Sequence, residues 1–229
     1  MHIFAMYRYC KNAAVKTYIF LLLFLFGAST AYAKGQLGVQ LSPGMSINRV
    51  HTNPNNAGIL GGRRAFGSKL GIIYDYPIQD RYYFSTGLLY ATQHLAIKNE
   101  YVSPIIREEH MLQLFQVPLL LKLYTSELTL DTRLYVMLGL LGQIRGSQRN
   151  TELPKGQTKP FLEAFCRWGG AVLFGIGIEH STSLSTSIFA GIGYHHGISS
   201  MIDEQDQTRS IPRVLGYGDM LSLDVGVRF

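Results

Sequence analysis

Apolar and polar residues alternate with period two along most of the chain beyond residue 34. In 131–145, Thr132, Leu134, Val136, Leu138, Leu140 and Ile144 share one face, against Arg133, Tyr135, Met137, Gly139, Leu141, Gln143 and Arg145. In 168–179, Trp168, Val172, Phe174, Ile176 and Ile178 oppose Gly169, Ala171, Leu173, Gly175, Gly177 and Glu179. In 184–195, Leu184, Thr186, Ile188, Ala190, Ile192 and Tyr194 oppose Ser185, Ser187, Phe189, Gly191, Gly193 and His195. Successive side chains of a strand point to opposite faces, so this period predicts strands with one aliphatic face and one small or polar face.

Five further segments follow the same rhythm. Leu70, Ile72, Tyr74, Tyr76 and Ile78 oppose Lys69, Gly71, Asp75 and Pro77 in 68–78. Phe115, Val117, Leu119, Leu121 and Leu123 oppose Leu114, Gln116, Pro118, Leu120 and Lys122 in 110–124. Residues 82–98 alternate most weakly, and 218–229 very cleanly. Residues 35–48 begin well with Leu37, Val39 and Leu41 but carry Pro43-Gly44, which predicts a bulge or bend. The total is eight strands.

The connections between them alternate in length. Short links are expected around Gln79-Asp80-Arg81, in TSELT (125–129) and in STS (181–183). Long links fall at 49–66, 99–109, 146–167 and 200–217, with loop-like contents such as HTNPNNAG and DEQDQTRS. An even strand count with short turns at one end and long loops at the other fits a transmembrane β-barrel of the bacterial outer membrane. The expected fold class is therefore all-β: an eight-stranded antiparallel up-and-down barrel over 34–229, following a cleaved signal peptide.

That signal occupies residues 1–33. Arg8, Lys11 and Lys16 precede the apolar run TYIFLLLFLFGAST, and AYA follows at 31–33. A basic start, a short apolar run and an A-x-A site read as a secretory signal. Removing it leaves 18 basic residues against 15 acidic ones, so the basicity of the whole chain predicts no nucleic-acid partner. Cys166 is then the one remaining cysteine, and the fold is expected to hold without a disulfide.

A soluble exported barrel of the lipocalin kind is the structural rival. Several predicted strands run longer than the roughly 9–11 residues that cross a bilayer at a tilt. The aliphatic face carries almost no charge, where each Arg or Lys would cost about 2–4 kcal/mol at the midplane. The other face holds the glycines and the charges Lys69, Asp75, Lys122, Arg133, Glu179, Asp224 and Arg228, expected to form a paired polar network inside the barrel. Tyr76, Tyr82, Tyr83 and Tyr124 near the short turns, with Trp168 and Tyr194 near the other end, suit interfacial girdles. All four features favour the membrane barrel. Its partners are then outer-membrane lipid and lipopolysaccharide.

FQVPLLLKLY (115–124) is similar to the hydrophobic-Pro-Leu-Leu-Leu-Lys-Tyr segment of the Bacteroidetes outer-membrane β-barrel family that includes PorT-like proteins. YYFSTGLLYATQHLAIK (82–98) resembles the strand before it in that family, with its T-G-L-x-Y core. The resemblance covers roughly residues 35–229. It implies a non-enzymatic envelope protein with a link to the type IX secretion system or to surface protein partners, and it supplies no catalytic residue.

Two other chemistries have candidate residues. His195, His196 and Ser199, with Asp203, Glu204 and Asp206 after them, suggest the His/Ser/acid rim of a lipid A-modifying enzyme, which would need the base within reach of the nucleophile. GILGGRR (58–64) lacks phosphate-loop spacing, though Arg63 and Arg64 could meet lipopolysaccharide phosphates. No catalytic residue, metal ligand set or cofactor is assigned. Finally, Leu221, Leu223, Val225, Val227 and Phe229 are expected to face lipid, and this aromatic-ended strand resembles the C-terminal signal read by the barrel-assembly machinery.

Overall fold

The computed structural model describes residues 35–53, 59–61, 65–99, 106–152, 166–183, 185–204 and 213–229. The expected signal peptide lies outside the described residues. Eight long strands form the fold: β1 Gln36–Asn53, β2 Ala65–Gln79, β3 Tyr82–Asn99, β4 Ile106–Thr129, β5 Thr132–Glu152, β6 Trp168–Ser181, β7 Ser187–Gly197 and β8 Arg213–Arg228. Each pairs antiparallel with the next. β8 pairs back onto β1 from Gly38↔Arg228 to Asn53↔Arg213, which closes the sheet into a barrel. Closure leaves no row of unpaired backbone groups facing hydrocarbon.

The two faces separate as the alternation requires. Leu37, Val39, Leu41, Leu70, Ile72, Leu119, Leu121, Leu138, Leu140, Phe174, Ile176, Ile192 and Leu223 are exposed on the outside. Lys69, Asp75, Lys122, Glu179, Asp224 and Arg228 are buried within. A polar solvent-facing exterior, as a lipocalin-like barrel would have, is not what this wall presents. Tyr90 and Phe115, in edge-to-face contact at 5.7 Å, are exposed on the outside with Trp168 and Tyr194 towards one end. Tyr76 and Tyr82 are exposed near the other. Tyr83 and Tyr124 depart from the girdle expectation. Tyr124 shares the parity of Lys122, so it turns inward and is buried, and Tyr83 packs half-buried beside it.

Strand boundaries also differ from the reading of the sequence. The turn between β4 and β5 falls at Leu130–Asp131, beyond TSELT, after two register shifts between Tyr124 and Thr129. Asp131 adopts φ 59°, a left-handed conformation that aspartate tolerates better than most residues. The strands at the opposite end run on into the expected loops, and two three-residue strands, Ile59–Gly61 on β3 and Ile202–Glu204 on β8, extend the sheet there. At Pro43 there is no bulge. The β1–β8 register is the same on both sides, Leu41↔Val225 and Gly44↔Ser222, but Ser42 and Pro43 form no pair with β8. Proline has no N–H for that ladder, whereas its pairing with Ser68 on the β2 side persists.

Candidate functional site

The interior of the lower barrel, near the short turns, is an ion-pair network. Lys122 Nζ lies 3.4 Å from both Asp75 Oδ2 and Glu179 Oε2. Arg228 Nε lies 2.8 Å from Asp75 Oδ2, and its Nη1 pairs with Glu179. Glu179 also accepts hydrogen bonds from Tyr124 Oη and from Ser187 Oγ, the latter at 2.9 Å. Aromatic faces complete the shell: Lys122 Nζ is 4.0 Å from the centre of the Tyr135 ring, and the Arg228 guanidinium 4.0 Å from that of Phe189. A buried charge is tolerable when it is both paired and hydrogen-bonded, and this network supplies both.

Higher in the barrel, Lys69 Nζ meets His195 Nε2 at 2.6 Å, Ser222 Oγ at 3.0 Å and Asp224 Oδ1 at 3.4 Å. Ser222 Oγ donates to Asp224 Oδ1 at 2.8 Å. A cavity of about 20 Å³, bordered by Gln40, Lys69, Asp224, Lys122 and Arg228, separates the two groups. That is room for about one water molecule. Three cations and three carboxylates balance across the two clusters.

Two of these pairs, Lys69–Asp224 and Arg228–Asp75, join β2 to β8 across the intervening β1. The small inward residues of β1 make this reach available: a Cβ on Gly38 would lie 2.9 Å from Arg228 Cγ, so the arginine chain passes where glycine has no side chain. The strands opposite carry Lys122 and Glu179 and are otherwise largely apolar inside. Leu89, Leu120, Tyr135, Met137, Leu173 and Phe189 pack with Ile73 into one cluster that occupies the lumen. An eight-stranded barrel is narrow enough for side chains to fill it.

Of the seven charged residues singled out from the sequence, six meet one another. Arg133 does not: it sits half-buried at the barrel mouth, with its guanidinium 4.9 Å over the Tyr124 ring and no ion pair among the described residues.

The candidate His/Ser/acid group is dispersed. His195 points inward to Lys69 and is buried. His196 points outward, with Nδ1 3.7 Å from Asp219 Oδ2. Ser199 Oγ accepts from Gly170 N at 2.6 Å, not from either imidazole. The side chains of Asp203, Glu204 and Asp206, like Arg63 and Arg64, lie outside the described residues.

One cluster escaped the sequence reading. Arg49, Asp219 and Tyr194 meet on the outer surface of the barrel, Arg49 Nε lying 2.7 Å from Asp219 Oδ2. Both charged residues share the parity of lipid-facing neighbours, Leu41 and Met45 on β1 and Leu221 and Leu223 on β8. Charges of that parity were the available signal that the apolar band had ended.

Residues 28–203 match the family model described as outer membrane protein beta-barrel domain. The chain belongs to that family. It is an integral β-barrel of the Gram-negative outer membrane, crossing with the eight strands described above. Among solved structures it is similar to the outer membrane protein OprG of Pseudomonas aeruginosa, with TM-score 0.56 and 10% identity over 86% of this chain and 97% of that one. It also matches the Neisserial surface protein A, with TM-score 0.45 and 13% identity over 84% and 95% of the two chains. No curated protein matches the sequence. The OprG likeness is one of fold.

Proposed function

We propose that this barrel is a non-enzymatic envelope protein of the PorT-like kind in a Bacteroidetes cell, acting through its extracellular connections on ligands or surface partners. The observation that carries the reading is the occupied lumen, filled by six paired charges from β2, β4, β6 and β8 and by an apolar cluster packed beside them. A closed wall around such an interior leaves the loop end and the outer surface as the places for contact. Outer-membrane lipid and lipopolysaccharide surround that outer surface. The resemblance of FQVPLLLKLY to PorT-like proteins favours a link to type IX secretion. Affinity capture from native membranes tests it: co-purification of type IX secretion components is expected, and a preparation containing the barrel alone would remove that link.

During biogenesis the last strand serves, in this proposal, as the signal for the barrel-assembly machinery. Leu221, Leu223, Val227 and Phe229 are exposed along its outer face, with Val225 half-buried between them. Phe229 N donates to Leu37 O at 2.8 Å, and Phe229 O accepts from Leu37 N at 3.1 Å. Replacing the side chain leaves those backbone bonds available. Phe229→Asp is therefore expected to lower the amount of assembled barrel, and Phe229→Trp to preserve it. Equal outer-membrane levels of both variants would remove the signal role.

A further inference from the structure

The Arg49–Asp219 cluster stands where the outer apolar wall gives way to polar residues. Below it on the same faces lie Leu41 and Met45 of β1, Leu221 and Leu223 of β8, and Ile192 of β7, all exposed. At the next level come Arg49, Asp219 and His196, and beyond them His51 and Tyr217, for which the β1–β8 pairing gives the order Ile47↔Asp219, Arg49↔Tyr217. The cluster thus marks the end of the hydrocarbon zone on the extracellular side, where the headgroups of the outer leaflet lie.

Asp219 faces outward, yet its side chain is 2% exposed. Arg49 Nε and Nη2 hold its two oxygens at 2.7 and 3.0 Å, Gly197 N donates at 2.9 Å and Tyr194 Oη at 3.1 Å. Arg49 Nη2 also donates to Gly197 O at 2.7 Å. The carboxylate is enclosed by donors and serves to orient the guanidinium. A guanidinium has five N–H groups in a fixed fork. Nε and Nη2 supply three, which among the described residues leaves the two on Nη1, and a third of the side chain is exposed. The Tyr217 ring lies 5.2 Å from the Arg49 guanidinium, and His51 packs edge-on against that ring at 5.6 Å. His51 and His196 are both exposed.

We infer that Arg49, His51, His196 and Tyr217 form a seat for the phosphorylated sugar headgroup of an outer-leaflet glycolipid. The inference rests on the lipid contact proposed above and names its residues. Nη1 of Arg49 would take the phosphate, the group whose geometry an arginine fork matches. On either side of it stand further donors, the imidazole of His51 against Tyr217 and that of His196 beside Asp219, and the tyrosine ring offers a face to a sugar. Because β1, β8 and β7 all contribute, an occupied seat would also brace the closing seam of the barrel.

The test uses the full, folded barrel in mild detergent, with bound lipid read by native mass spectrometry. The probes are phosphorylated lipid A, the same lipid A after phosphatase treatment, and phosphatidylethanolamine. Loss of one hydrogen bond to a charged group corresponds to about tenfold in affinity. Phosphorylated lipid A is therefore expected to bind about tenfold tighter than the other two. Arg49→Gln should abolish that preference and Arg49→Lys weaken it, while Arg167→Gln, at an exposed arginine outside the cluster, should leave it intact.

Heat-modifiable migration reports whether each variant is folded. Should Arg49→Gln fail to fold, the phosphatase arm on the unchanged protein and Arg49→Lys decide the matter. Equal binding of both lipid A forms, or a preference that survives in folded Arg49→Gln, would overturn the seat and leave the cluster as a seam clamp only. Displacement of the lipid by inorganic pyrophosphate alone would overturn the glycolipid assignment in favour of a free-phosphate site. Outer-membrane fractionation and partner capture are read separately, so loss of the seat leaves the proposed function standing.

Discussion

Glu179 gathers Lys122, Arg228, Tyr124 and Ser187 onto one buried carboxylate. Replacing it with Gln leaves two buried cations against Asp75 alone. Breaking a buried pair in this way costs about 3–5 kcal/mol, because the uncompensated charge stays in a poorly solvated place. Arg133→Ala removes an equally basic residue that stacks at the mouth, and should cost about 1 kcal/mol or less. Urea unfolding of the refolded barrel in detergent separates the two, and equal losses would contradict the network. That these charges face inward was legible from the sequence, since their parity opposed the aliphatic face. Which carboxylate each cation meets was not. Lys69 finds Asp224 over an intervening strand, and that depends on the offset between β2 and β8, which local alternation does not encode.

At the scale of the strand, glycine decides where the walls can approach. A Cβ on Gly44 would lie 2.4 Å from the Leu221 carbonyl oxygen, part of the β8 backbone that β1 must pair with to close the barrel. A Cβ on Gly142, by contrast, would meet only the Val117 carbonyl oxygen at 3.8 Å, an ordinary contact. Gly44→Ala is therefore expected to reduce the heat-modifiable, protease-resistant form in outer membranes, and Gly142→Ala to leave it unchanged. Unchanged folding of Gly44→Ala would mean the seam is less close than described. The strand cores were readable in sequence because the lipid face tolerates so little charge that the period stays clean. The strand ends were not. Beyond the apolar band neither side of the wall needs to be apolar, so residues such as Asn99 and Glu152 continue the ladder without any hydrophobic period to announce it. Tyr83 and Tyr124 misled for a related reason: an aromatic near a turn suits a girdle only if its parity points outward.

For the whole molecule, topology and transport behaviour follow from different parts of the chain. The alternation of short and long links was enough to infer a closed, even-stranded barrel, because each pair of crossings returns the chain to the side it came from. Whether that barrel conducts depends on its inward residues, and here charged and apolar side chains share the lumen. β2, β4, β6 and β8 contribute the ion pairs and β1 the small residues, while β3 to β7 also contribute Leu89, Leu120, Met137, Leu173 and Phe189. Between them lies a cavity of about 20 Å³. A solute the size of a monosaccharide would have to displace both the apolar cluster and the paired charges, exposing each to an environment it is not matched to. The barrel reconstituted into liposomes should therefore give no swelling in isotonic monosaccharide above that of empty vesicles, and no steady open level in planar bilayers. Swelling at the rate of a general porin, from preparations shown to be folded by heat-modifiable migration, would mean that the lumen opens in the membrane and that its contents are a movable plug, not a core.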